Sequence, residues 1–476
     1  MKFKLKKKIA EQHSLRVLFK IFAIIFFPLA VLSPVSLWML FIIPSLATIF
    51  FQKNCLRDLK NLEACEKLLG LFIFFTLISL IWTTNFFDGV KIIANIIGLF
   101  VCFLLLIRNT NFMTNETLKQ TITISYLFTT VFILIDIFFL LGIKPWLSLT
   151  FDYLVVGQGN RPESYMTFFQ NFEKGTYSGA YHRGLAVISI FFYIIIALNY
   201  KNKIISLALF IIVFFTLMHG ENFSAFIVFL LGTLTFFIFK VVGKSFFYFI
   251  SCLIILYSIS FPLVLKKYEI DTWSQRDTYL SLRLSQLRAS ENNFFNLNTL
   301  NKKGLILRYK IEKKLLHRFV IWSVSAKKIS KNTFLGYGLG SSRKFGENET
   351  IEFIDSSTGK EKKIIYPAIP LHPHNNSIQI WLELGLIGII IFYSFFILFW
   401  YKVLFRYNFS KNVCASISGS IISIFLINQS SYGIWQTWWI SSICLCLIFF
   451  RYSMPSYEDF KDFTKIPSTI REAPNQ

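Results

Sequence analysis

About twelve blocks of mainly apolar residues fill most of this chain. They lie near 17–33, 36–51, 68–84, 89–107, 121–142, 184–200, 203–218, 223–240, 246–265, 376–401, 413–431 and 433–450. A helix of about 20 such residues crosses a bilayer, so each block predicts a span. The blocks are continuous and not amphipathic, and composition agrees with them. Hydrophobic residues make up 54% of the chain and charged residues only 16%, against about 25% in a soluble protein. The expected fold class is an all-α polytopic membrane protein with about 12 transmembrane helices. Met1–Arg16 is basic and precedes the first block with no small-residue cleavage site, which reads as an uncleaved signal anchor.

The net charge of +23 is first a matter of topology, because cytoplasmic loops collect Lys and Arg. A second use is binding anionic lipid phosphates. No nucleic-acid-binding motif accompanies the charge, so membrane lipids and no nucleic acid are the expected partners. With the N-terminus inside, the inner segments hold Lys53, Arg57, Lys60, Arg108, Lys201, Lys203, Lys240, Lys244, Lys402, Arg406 and Arg451. The short outer loops Asn85–Asp88, His219–Asn222 and Ser430–Tyr432 hold no Lys or Arg. Both termini are therefore expected in the cytoplasm. The organisation follows: a basic tail 1–16, a membrane domain 17–452 with external segments about 143–183 and 266–375, and a polar tail 453–476. None of the seven cysteines falls in a predicted outer loop or shows zinc-ligand spacing, so neither a structural disulfide nor a metal site is expected.

Candidate chemistry gathers on the outer face, which receives His182, His219, His317, His372 and His374. Each alone reads equally well as a polar loop residue. One cluster, Leu371-His-Pro-His-Asn-Asn-Ser377, marks the point where the long external segment re-enters the membrane. Pro373 disfavours helix at His372, while Asn375, Asn376 and Ser377 are good N-caps. His374 is thus expected at a helix start. An imidazole there can take a proton from a hydroxyl, and the helix end favours a nearby phosphate. A plain interfacial cap is the competing reading.

Three arginines are candidates for the phosphate. Arg318 lies on the segment Leu315–Ile329, whose apolar spacing marks one helix face and which also reads as an interfacial amphipathic helix. Arg343 follows Gly336-Tyr-Gly-Leu-Gly340, whose amides could approach a phosphate or simply form a turn. Arg183, at the start of the sixth span, could hold a diphosphate with its guanidinium fork or snorkel to headgroups.

His374-Asn375, nine residues, and then Gly385-Leu-Ile-Gly388 resembles the signature of the O-antigen ligase and O-antigen polymerase superfamily. Pro370-Leu-His-Pro-His-Asn375, Gln379–Gly385, His317–Trp322 and Gly336–Gly340 extend the likeness in order and position. The resemblance implies a GT-C-like helical fold with a large periplasmic loop segment. It further implies a metal-independent inverting glycosyltransferase in the bacterial inner membrane that needs no cofactor. The donor would be a glycan on undecaprenyl diphosphate, and the acceptor a sugar hydroxyl of lipid A-core on the periplasmic side. His374 would be general base or acceptor positioner. Arg183 and Arg318, with Arg343, would bind diphosphate, and His372, Asn375, Gly385 and Gly388 would support the motif. Many members carry a Ser-Arg pair at the outer mouth of the eighth span, where this chain has His219-Gly-Glu-Asn-Phe-Ser224.

Other readings stay open at this level. A polymerase shares signature and donor but extends another lipid-linked repeat, and a protein O-glycosylating transferase has similar features. A metal-dependent oligosaccharyltransferase would need outer acids such as Glu269 and Asp271. A transporter would use an intramembrane charge such as Asp136, although no internal repeat accompanies it.

Overall fold

The computed structural model describes residues 2–51, 62–108, 116–139, 141, 143–144, 181–220, 222–266, 318–348, 350–355, 362–367, 369–406 and 409–453. Among the described residues, nine α-helices precede the segment about 266–375. They are α1 (Lys2–Leu32), α2 (Met39–Phe51), α3 (Ala64–Ile78), α4 (Phe86–Arg108), α5 (Glu116–Phe138), α6 (His182–Asn199), α7 (Lys203–His219), α8 (Phe223–Val242) and α9 (Ser245–Leu265). Helix α10 follows over 318–329, then α11 (Ser341–Asn348), α12 (Asn376–Phe405), α13 (Lys411–Asn428) and α14 (Thr437–Ser453). Among the described residues, ten helical stretches are long and apolar enough to cross a membrane, and Lys203–His219 and Thr437–Arg451 add two shorter apolar helices. The chain is a multi-pass, all-α membrane protein, as its hydropathy predicts.

Helix starts coincide with side chains that can satisfy the first free amides. Asn202 accepts from Ile205 N at 3.0 Å, Asn222 from Ala225 N at 3.1 Å and Asn375 from Ile378 N at 3.0 Å. Such caps are worth about 1 kcal/mol each. Helices α6 and α13 form the centre of the bundle, with 83% and 78% of their spans buried. Their packing relies on small residues, as expected where lipid offers no hydrophobic drive between helices. A Cβ on Gly232 of α8 would lie 2.2 Å from Ser423 Oγ and 2.5 Å from Tyr193 Oη. Ser420 Oγ donates to Ile190 O at 2.9 Å, joining α13 to α6. Outward faces carry bare Phe50, Phe87, Ile204 and Val241, which suits contact with acyl chains.

Two local features differ from the sequence reading. The last span begins at Thr437, not near 433, because Ser430–Gln436 is a non-helical connection. The polar segment before α12 also contains a two-stranded antiparallel ribbon, β1 (Thr350–Asp355) with β2 (Lys362–Pro367), in register from Thr350↔Pro367 to Asp355↔Lys362. At the far end of α12 from His374, Lys402 pairs with Glu63 at 2.7 Å, and Arg108 pairs with Glu66.

Candidate active site

The turn before α12 is held from several directions. The Asn375 side chain caps the helix and also donates from Nδ2 to Gln429 O at 3.1 Å and to Tyr257 Oη at 2.9 Å. Trp322 of α10 donates from Nε1 to Pro373 O at 2.8 Å. Helix α10 is not an interfacial helix with one wet face, because Val320 through Ala326 are all buried.

His374 has φ of 56°, the left-handed region that non-glycine residues seldom adopt. This backbone brings His374 Nδ1 to 2.8 Å from Ser431 O. A carbonyl can only accept, so Nδ1 carries the proton and the basic lone pair of the neutral ring sits on Nε2. The His374 amide in turn donates to His372 Nδ1 at 3.2 Å, and the two rings meet edge to face with centroids 4.4 Å apart. Burial, and secondarily the neighbouring His374, push the His372 pKa down to about 3. His372 therefore stays neutral, and its Nε2 lies 3.1 Å from the side-chain nitrogen of Gln436.

The connection Ser430–Gln436 carries more than the carbonyl that holds His374. The next residue, Tyr432, donates from its hydroxyl to His182 O at 3.1 Å. Burial pushes the Tyr432 phenol up to about 12, while Asn222 and the nearby charges of Arg183 and Arg318 pull it down. Both arginines thus lie near enough to Tyr432, the residue after Ser431, for their charge to reach its hydroxyl. Arg183 lies with its guanidinium carbon 5.5 Å from the Trp438 ring centroid. Burial lowers the Arg318 pKa below its ordinary value. Neither guanidinium has a carboxylate partner among the described residues. Partly desolvated cations of this kind are suited to a phosphate anion.

Arg343 has a different setting. It sits on α11, with Nη1 3.3 Å from Asp88 Oδ2, and its neighbour Lys344 donates to Thr84 O at 2.8 Å. The glycine run before it is a docking strip, not an open phosphate cradle. Tyr337 N donates to Leu382 O at 2.9 Å, Gly338 N to Glu383 O at 2.8 Å and Gly340 N to Glu383 Oε2 at 2.8 Å. The strip lies against a break in α12 at Gly385, where φ is 66° and a Cβ would come 2.1 Å from Phe334 O. Gly388 lies one turn on, where a Cβ would press on Leu384. These glycines shape the helix that carries the site.

Two residues escape a reading of the sequence. Lys144 donates to Val31 O at 2.5 Å and lies 5.2 Å from the Tyr181 ring centroid. Burial first, and then Arg183, push its pKa down to about 7. Its only signal is a lone Lys just after an apolar block. Glu383 is wholly buried and accepts hydrogen bonds from four residues. Its signal is an acid inside a predicted span.

The remaining candidates separate from the cluster. Asp136 accepts from the Tyr181 hydroxyl and from Ile143 N, tying α5 to the start of α6. His219 is exposed at the end of α7, with Nδ1 2.9 Å from Phe215 O. Asn222, in the stretch that departs from the family pattern, donates to His182 O at 2.6 Å. His317, Glu269 and Asp271 lie outside the described residues. Among the described residues no three His, Cys, Asp or Glu side chains gather in a way that could hold a metal ion.

Known proteins share this arrangement of sequence. Three Rickettsia proteins, all bearing the provisional name polysaccharide ligase, align with more than half of the chain. The R. typhi protein is 31% identical over 275 residues, covering 56% of this chain and 57% of its own length. The R. conorii protein is 33% identical over 266 residues, covering 55% and 54%. The R. felis protein is 32% identical over 264 residues, covering 55% of each. The matched stretch thus spans about half the length of these relatives. Residues 175–393, which contain Arg183, Arg318 and the whole His374 turn, match the family model described as O-antigen ligase.

Proposed function

We propose that this protein is a metal-independent inverting glycosyltransferase of the O-antigen ligase type. It moves a glycan from undecaprenyl diphosphate to a sugar hydroxyl of lipid A-core, on the periplasmic face of the bacterial inner membrane. The observation that carries the reading is one contact: His374 Nδ1 on Ser431 O, beside a tyrosine that feels both Arg183 and Arg318. In this reading the acceptor hydroxyl gives its proton to His374 Nε2 as its oxygen attacks the anomeric carbon. The bond from that carbon to the diphosphate oxygen breaks, and the configuration inverts in the single displacement. Arg183 and Arg318 take up the charge that grows on the departing undecaprenyl diphosphate. Arg343, neutralised by Asp88, is left out of this binding set. Both termini lie in the cytoplasm, and the three segments 1–16, 17–452 and 453–476 serve as tail, membrane domain and tail.

The test is transfer by the purified protein in EDTA, with labelled undecaprenyl-diphosphate glycan and lipid A-core. Label appearing on lipid A-core supports the ligase reading. Label that only lengthens on its own lipid carrier replaces it with a polymerase.

A further inference from the structure

Glu383 has no part in the mechanism above, yet it is the most heavily engaged buried acid among the described residues. Its Oε1 accepts from Ser342 Oγ at 2.5 Å and from Gln379 Nε2 at 3.2 Å. Its Oε2 accepts from Gly340 N at 2.8 Å and from Trp435 Nε1 at 2.8 Å. The donors come from three places: α12 itself, the glycine strip together with the first turn of α11, and the connection between α13 and α14. Its backbone carbonyl takes Gly338 N as well.

Two of these links lead to the histidines. Trp435 lies in the same connection as Ser431, whose carbonyl holds His374 on Nδ1, and beside Gln436, which meets His372. Gln379 donates to Glu383 with its amide nitrogen and with its oxygen accepts from Ile434 N at 3.2 Å. Glu383 therefore grips the connection at two adjacent residues, directly at Trp435 and through Gln379 at Ile434. A Cβ on Gly433 would lie 2.8 Å from His372 Cδ2, so the connection has little room to shift without moving that ring.

We propose that Glu383 is a positioning residue for His374, fixing the 431–436 connection so that the Ser431 carbonyl keeps the His374 ring in its Nδ1–H form. The proposal rests on His374 being the proton acceptor. The site needs a carboxylate. Trp435 and Gly340 can only donate, so a glutamine at 383 must turn its own NH2 toward Ser342 and Gln379. Satisfying that NH2 requires the Gln379 amide to flip, which breaks the bond to Ile434 N. Glu383→Gln, nearly the same in shape, thus loosens the link to the histidine turn.

The experiment compares Glu383→Gln and Trp435→Phe with wild type in the transfer assay, each also combined with His374→Ala. Trp435→Phe keeps the aromatic bulk and removes one donor, so it guards against a misfolded first variant. Misplacing a reacting group by about 1 Å costs on the order of 100-fold. The expected result is a fall in kcat of roughly 10- to 100-fold for Glu383→Gln and a smaller one for Trp435→Phe. The KM for the lipid-linked donor should stay within about twofold, and neither change should lower the residual rate of His374→Ala further. Wild-type kcat in both single variants, in folded protein, overturns the proposal and leaves His374 untouched. So does a further drop in the His374→Ala background, which marks Glu383 as purely structural. A fully active His374→Ala sinks the function reading itself.

Discussion

The His374 ring rests with Nδ1 2.8 Å from the backbone carbonyl of Ser431, 57 residues further along the chain. The contact joins the turn that opens α12 to the connection between α13 and α14. It also settles which ring nitrogen keeps its proton, because the carbonyl cannot donate. The orientation of the ring thus depends on the backbone of a neighbouring segment.

The arginines should divide by partner. Arg183→Ala and Arg318→Ala each remove a partly desolvated cation whose charge reaches Tyr432. Charge-assisted contacts contribute about 1.5–3 kcal/mol, so each variant should raise the KM for the lipid-diphosphate donor roughly 10- to 100-fold. Arg343→Ala breaks only a half-exposed pair with Asp88. Such pairs contribute about 1 kcal/mol at most, so the donor KM should change by less than about fivefold. Steady-state kinetics with varied donor measure all three. A large effect confined to Arg343 would move the phosphate site to α11.

Gly385 should not tolerate a side chain. Its φ of 66° places a new Cβ 2.1 Å from Phe334 O. With ψ of −166° this is a backbone conformation that essentially only glycine adopts, and the clash adds to its cost. Gly385→Ala should lower the melting temperature in detergent and the yield of folded protein, whereas a substitution at Gly70, which meets nothing within 4 Å, should not. Equal melting temperatures for the two would contradict the break in α12.

His372 gives the protein an acid sensitivity of known sign. Its folded pKa is pushed to about 3, below an unfolded value of about 6.5. Between those values the unfolded chain binds more protons, so this residue's share of stability is full above about pH 6.5 and is lost as pH falls toward 3. His372→Asn keeps an acceptor near the His374 amide but cannot titrate. Thermal unfolding from pH 7 to pH 4 should fall less steeply in that variant than in wild type. Parallel curves would contradict the assignment.

Hydropathy made the spans legible, since twelve apolar blocks correspond to twelve apolar helices. It also misplaced one edge: Ile434 and Trp435 look like the start of a span, but they turn inward to bond Gln379 and Glu383. His374 stood out because Pro373 and the Asn caps announce a helix start locally. Arg183 stood out as a charge at the start of a predicted span, and Arg318 as a charge on a segment with helical apolar spacing. Partnerships across long separations were not readable. Nothing near Arg343 in sequence points to Asp88, 255 residues away. Nothing near Glu383 points to Trp435, 52 residues away. The left-handed backbone of His374 was hidden for the same reason, because tertiary contacts impose it on a residue that does not favour it. The ribbon of Thr350–Asp355 and Lys362–Pro367 lay inside a segment read only as a polar loop.

The most direct measurement is glycan transfer by purified wild type and His374→Ala, in EDTA, from undecaprenyl-diphosphate glycan to lipid A-core. The account predicts label on lipid A-core with wild type. It also predicts a His374→Ala protein that is folded, still binds the lipid-linked donor, and transfers at least about 100-fold more slowly. Full activity in that variant, or no transfer by the wild type, would contradict it.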